Sequence, residues 1–159
     1  MNKTIAIMAA ALTLGGSLSQ TEAQVNIQKN NITLQSDRMT PEALWAMGRI
    51  GGAQASPDGR RIAYQVGYYS VKENKGHQIL YVMDADGKNI RQLTTDAKNE
   101  TDAAWIEGGR RIAFLRDGQL WAMNADGTGR RQLTNDKTDI EGFKFSPDGR
   151  HVLLIKSLP

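Results

Sequence analysis

A stretch of nineteen residues occurs twice in this chain, forty positions apart. Residues 78–96 and 118–136 agree at ten positions: Leu80/Leu120, Met83/Met123, Ala85/Ala125, Asp86/Asp126, Gly87/Gly127, Arg91/Arg131, Gln92/Gln132, Leu93/Leu133, Thr94/Thr134 and Asp96/Asp136. Chance would supply about one such match, so the duplication is a structural repeat. A chain that repeats at this spacing stacks one small unit beside the next rather than folding around one irregular core.

A second element travels with the first. Ser56-Pro57-Asp58-Gly59-Arg60-Arg61-Ile62-Ala63-Tyr64 recurs as Glu107-Gly108-Gly109-Arg110-Arg111-Ile112-Ala113-Phe114, and again as Ser146-Pro147-Asp148-Gly149-Arg150-His151-Val152-Leu153-Leu154. Gly109 and Gly149 are 40 residues apart, Gly59 and Gly109 are 50. The ten extra residues fall in Gly67 to His77, read as a polar surface loop of the first unit.

Each unit reads as four short strands. Ser-Pro-Asp-Gly sets Pro at the second turn position and Gly where positive φ is needed, which makes a tight hairpin. Asp117-Gly118 between Arg111–Arg116 and Gln119–Asn124 is a two-residue hairpin signature. Asp86-Gly87 and Asp126-Gly127 turn the chain into a strand ending in Gln-Leu-Thr. Four antiparallel strands about every 40 residues is the period of a β-propeller blade. The middle strands, such as Leu80–Met83 and Leu120–Met123, are apolar on both faces, as stacked blades require. The expected fold is therefore all-β: a partial propeller with blades at about 54–96 and 104–136, and a third starting near 143. Closure takes four to eight blades, so these 159 residues read as a piece of a longer protein.

The first 53 residues lie outside the repeats. Lys3, an apolar run from Ile5 to Leu18 and the small-x-small site Thr21-Glu22-Ala23 have the layout of a secretory signal peptide over 1–23. The expectation is an exported, periplasmic protein with no membrane anchor after cleavage. Residues 24–53 read as a linker followed by a short helix at 41–50. Thr40 caps it, Pro41 suits its first position, and Glu42 complements its dipole. Leu44, Met47 and Ile50 share a face, and Gly51-Gly52 ends the segment.

Several chemistries are excluded or unsupported. The chain has no Cys, so disulfides, thiolate metal sites and Cys nucleophiles are ruled out. His77 and His151 are its two histidines, too few for a three-His metal site, and both read as surface or edge residues. No Gly-x-Ser-x-Gly elbow occurs in the mature chain. Placing Gly87 or Gly127 at the glycine of a calcium loop puts Val82 or Ala122 at the first ligand and Leu93 or Leu133 at the closing one, and none of these binds calcium. Arg60-Arg61, Arg110-Arg111, Arg130-Arg131 and Arg150 follow turn glycines and lack aromatic interleaving, so with a formal charge of +3 nucleic acid is not an expected partner. Trp105, Trp121 and Tyr81 read as blade packing. No catalytic, cofactor or metal residue is assigned.

Ser56–Tyr64, Leu120–Gly127 and Arg131-Gln132-Leu133-Thr134 resemble the propeller repeats of the prolyl oligopeptidase family of serine peptidases, in particular its bacterial dipeptidyl-peptidase and acylaminoacyl-peptidase members. They also resemble the periplasmic propeller of the Tol–Pal system, a non-catalytic binding protein, which is the alternative. Met39 to Ile50 is similar to the helix that precedes the first blade in the peptidases and packs towards their catalytic domain, and this favours the peptidases. The resemblance implies an α/β-hydrolase domain in cis, downstream of the propeller, that holds the triad. It implies short peptides as substrates, dipeptides released from N-termini, and a propeller that screens the active site. No triad residue maps onto these positions.

Overall fold

A computed structural model describes residues 27–29 and 37–157. The signal peptide expected at 1–23, and most of the linker after it, lie outside the described residues. One short helix, α1 (Pro41–Ala46), precedes ten strands: β1 (Arg49–Ala55), β2 (Arg61–Ser70), β3 (Lys75–Asp84), β4 (Arg91–Gln92), β5 (Glu100–Ile106), β6 (Arg111–Arg116), β7 (Gln119–Asn124), β8 (Arg131–Gln132), β9 (Ile140–Phe145) and β10 (Val152–Lys156). They form two four-stranded antiparallel sheets, β1-β2-β3-β4 and β5-β6-β7-β8, and the pair β9-β10. This is the expected partial propeller.

The turns follow the local chemistry. In the first unit the Ser56 hydroxyl donates to Asp58 Oδ1 at 2.5 Å and accepts from the Arg61 amide at 2.9 Å, while Gly59 takes φ of +67°. Ser146, Asp148 and Gly149 repeat the arrangement. The second unit has no Ser or Asp there, and it turns through three successive left-handed residues, Glu107, Gly108 and Gly109. Asp117 and Gly118 both have positive φ, as a two-residue hairpin twisting with its strands demands.

Burial on both faces of the middle strands holds the sheets together. Ala63, Leu80, Val82 and Leu93 of the first sheet meet Ala103, Ile112, Phe114 and Met123 of the second. On the other face Ala113, Leu115, Leu120 and Ile140 pack with Phe143, Phe145 and Leu154 of the third pair. Gly127 sits at the first junction with φ of +90°, and a methyl there would fall 3.2 Å from the Leu93 carbonyl oxygen. Gly127→Ala is therefore expected to cost at least 1–2 kcal/mol, roughly the penalty of a left-handed non-glycine residue, read as a lowered urea midpoint.

Four sequence expectations need correction. The helix spans Pro41–Ala46 rather than 41–50, and the chain runs straight into β1. Gly48 explains the change: a side chain there would fall 2.7 Å from Val66 Cγ1 and 2.8 Å from Tyr68 Cε1, so bare backbone packs onto β2. Leu44, Met47 and Ile50 do not form a buried face; all three are exposed and Ala43 is the residue that packs. Gly51-Gly52 does not end an element but carries a bulge inside β1, with Gly52 at φ of +37°. The first sheet thus begins at Arg49, the second at Glu100 and the third at Ile140. Gly67 to His77 is not a surface loop: it lengthens the β2–β3 hairpin, pairing Gly67 with Gln78 and Tyr68 with His77 around a turn at 71–74.

Candidate functional site

Antiparallel strands send alternate turns to opposite ends of the sheets. One end carries the turns at 56–60, 85–90, 107–110, 125–130 and 146–150. The other carries α1, the β2–β3 tip, the connection 93–99 and the Asp117-Gly118 turn.

Ser146, Asp148 and His151 lie close together, but not as a catalytic set. The Ser146 hydroxyl donates to Asp148 and is held by the His151 amide at 3.0 Å, while no hydrogen bond among the described residues involves the imidazole. A nucleophile needs its proton facing a base, and this one is engaged in a turn. Asp86 and Asp126 likewise serve their own turns, accepting from the Lys88 and Thr128 amides at 3.0 and 2.9 Å. The hydrogen bonds from Lys88 and Thr128 hold both carboxyls below the usual range. Arg61 works between sheets: its guanidinium lies 4.8 Å from the Trp105 ring centre and donates to the Gly109 carbonyl at 2.7 Å. His77 is not at the surface but fully covered in β3, because the longer hairpin places it beside the connection between sheets.

Sequence reasoning missed the buried charge cluster at the junction of the first two sheets. Glu100, with no exposed surface, receives Arg116 at 2.9 Å, and Arg116 and Arg130 each reach Asp96 at 2.8 Å. Glu100 Oε2 and the nearby Trp121 Nε1 have no hydrogen-bond partner among the described residues. Burial pushes the Glu100 carboxyl up, the Thr94 hydroxyl pulls it down, the Asp96 charge raises it, and the two guanidiniums lower it; the net direction is upward. For Asp96 burial is again the largest influence, but Arg116, the Lys98 amide and Arg130 overcome it and hold that carboxyl low. One signal was available: forty residues on, the position of Glu100 is occupied by the buried Ile140.

Two surfaces have the shape of binding sites. A cleft of about 660 Å³ between the second and third sheets is lined by Trp105, Arg110, Arg131, Leu133, Phe145 and Asp148, among others. Its opening reflects the two-stranded third sheet: Leu93 is covered by the Gly127 turn of the next sheet, whereas its repeat counterpart Leu133 is 38% exposed. The other surface is built by α1 and the β2–β3 tip. Thr40 Oγ1 caps the helix at 3.2 Å from the Ala43 amide, and the cap aims Trp45 at Tyr69, with ring centres 4.8 Å apart and Arg49 lying over the indole. Met39, Leu44, Trp45, Met47 and Val71 are all exposed on this side. Apolar side chains gathered at one end of a sheet mark a contact surface.

No protein-family model matches the chain. It is 40% identical to dipeptidyl-peptidase 5 of Porphyromonas gingivalis over 162 residues, an alignment covering 99% of this chain and 22% of that protein. Dipeptidyl-peptidase 5 of Porphyromonas endodontalis is 38% identical over 125 residues, covering 76% of this chain and 18% of that one. The chain therefore spans about a fifth of the length of the curated relatives it matches. Among solved structures, the acylaminoacyl peptidase of Pyrococcus horikoshii superposes with a TM-score of 0.59 at 15% identity, over 70% of this chain and 17% of that one. The β-propeller domain of the trilobed protease from Pyrococcus furiosus gives 0.53 at 18% identity, over 67% and 33%. These two likenesses speak for the fold, a β-propeller.

Proposed function

We propose that this chain, which belongs to the prolyl oligopeptidase family as the N-terminal propeller portion of one of its peptidases, is part of an exported serine exopeptidase that releases dipeptides from the N-termini of short peptides. The observation that carries the reading is the 40% identity to a dipeptidyl-peptidase across 99% of the chain. An export leader at 1–23 suits such an enzyme. The propeller would admit short peptides and exclude folded proteins. The α1 surface, with Trp45 stacked on Tyr69 and its apolar neighbours exposed, would seat the α/β-hydrolase domain that supplies the nucleophile.

Two measurements test this. Residues 24–159 expressed alone are expected to release no coumarin from dipeptidyl-coumarin substrates, because both turn serines are committed to turns and both ring nitrogens of His77 face backbone carbonyls. The full-length protein is expected to cleave those substrates, to lose activity on serine-directed phosphonylation, and to leave N-acetylated aminoacyl-coumarins intact. Cleavage of only the acylated substrates would replace the dipeptidyl reading with an acylaminoacyl one. A full-length protein inert towards both would sink the peptidase reading.

A further inference from the structure

His77 joins three distant stretches of chain. It lies in β3 and is 3% exposed, with Nδ1 2.5 Å from the Ile27 carbonyl oxygen and Nε2 2.9 Å from the Lys98 carbonyl oxygen. Ile27 is buried in a cluster with Tyr64, Val66, Tyr68 and Ile79 of the first sheet, on strands β2 and β3. Beside it Gln92 Nε2 donates to Gln28 Oε1 at 3.1 Å. Residues 27–29 thus form a strap over apolar side chains, and His77 is its buried polar anchor.

The chemistry of the two contacts fixes what the ring must be. A carbonyl oxygen only accepts, so each ring nitrogen needs its own proton to bond its carbonyl. A neutral imidazole has one N–H and leaves the other nitrogen's lone pair facing a carbonyl; the imidazolium satisfies both. We propose that His77 is a protonation-dependent clasp: charged, it fastens residues 27–29 to the first sheet and to the connection at Lys98, and neutral, it releases one of the two.

Arg49 of β1, Tyr68 and Tyr69 of β2, and Asn99 of the connection line the same depression as His77. Lys75 precedes it by two residues on β3, Lys98 contributes its carbonyl, and the strap brings Lys29. Among the described residues lining that depression there is no carboxylate, so carbonyl dipoles are what hold the charge.

The test is hydrogen exchange on the full-length protein, corrected for intrinsic rates, at acidic and alkaline pH. Protection of 27–29 is expected to be about tenfold lower at the alkaline pH than at the acidic one, which is the size of one lost charge-assisted hydrogen bond. His77→Phe, which keeps a ring in the slot, is expected to show low protection at both pH values. Equal protection of the wild-type strap at both pH values would overturn the proposal. Should the variant fail to fold, nitrogen chemical shifts of the wild-type imidazole decide: two protonated nitrogens while the strap is protected support the clasp, and a neutral tautomer under the same conditions refutes it.

Discussion

Phe114→Ala is expected to destabilise the junction between the first two sheets by about 3–5 kcal/mol, the cost of removing a buried aromatic ring and leaving a cavity. Phe114 has no exposed surface and sits mid-strand in β6, opposite Trp121, among Leu80, Val82 and Leu93 from the neighbouring sheet. The backbone around it is pinned by ladders to β5 and β7, so the site has little freedom to collapse. Stacked repeats are stabilised chiefly by their neighbours. The loss should therefore appear in both sheets, as faster hydrogen exchange in 111–124 and also in 79–83. Ile90→Ala, at a side chain 59% exposed, serves as the control and should stay within about 0.5 kcal/mol. A Phe114→Ala effect confined to β6, or as small as the control's, would show that the sheets are not mutually supporting.

Much of this packing was legible in the repeat. The shared Gln-Leu-Thr-x-Asp stretch makes the same bonds twice: Thr94 Oγ1 accepts from the Leu80 amide at 3.2 Å and Thr134 Oγ1 from the Leu120 amide at 2.9 Å. Asp96 meets Arg116, and forty residues later Asp136 meets Lys156. Identity at a fixed spacing reported these contacts because identical backbone geometry presents identical groups. What the repeat could not report was where the units depart from one another. β1 was hidden because Gly51-Gly52 reads as a helix stop, whereas here it is a bulge that bends an edge strand. His77 was read as a surface residue because its partners are backbone carbonyls at Ile27 and Lys98, and backbone atoms leave no sequence signature. Glu100 looks like an ordinary surface acid until the β5–β6 register sets it opposite Arg116 and the neighbouring sheet covers it.

Arg116→Met is expected to cost up to about 3–5 kcal/mol at pH 7, because it removes the nearer cation from the buried Glu100 carboxylate and leaves it only the Arg130 guanidinium at 3.8 Å. Methionine keeps much of the stem but also removes the guanidinium's contacts with the Trp121 ring and Asp96, losses that a second change at Glu100 would share. Adding Glu100→Gln to that variant should restore most of the stability, because removing both members of a buried pair removes the uncompensated charge along with the attraction. The pH dependence follows from the two carboxyls with opposite signs. Glu100 is raised, so its contribution is fully present below the ordinary glutamate range and is lost as pH rises through its elevated value. Asp96 is lowered, so its contribution is present above the ordinary aspartate range and is lost as pH falls through its depressed value. The junction should therefore be most stable in mildly acidic solution, and the single variant Glu100→Gln should flatten the decline on the alkaline side while leaving the acid side intact. Urea midpoints from pH 3 to pH 8 read both limbs. An alkaline limb as steep in Glu100→Gln as in the wild type would mean that Glu100 is not the titrating group, and a double variant no more stable than Arg116→Met would mean that Arg116 contributes packing rather than charge.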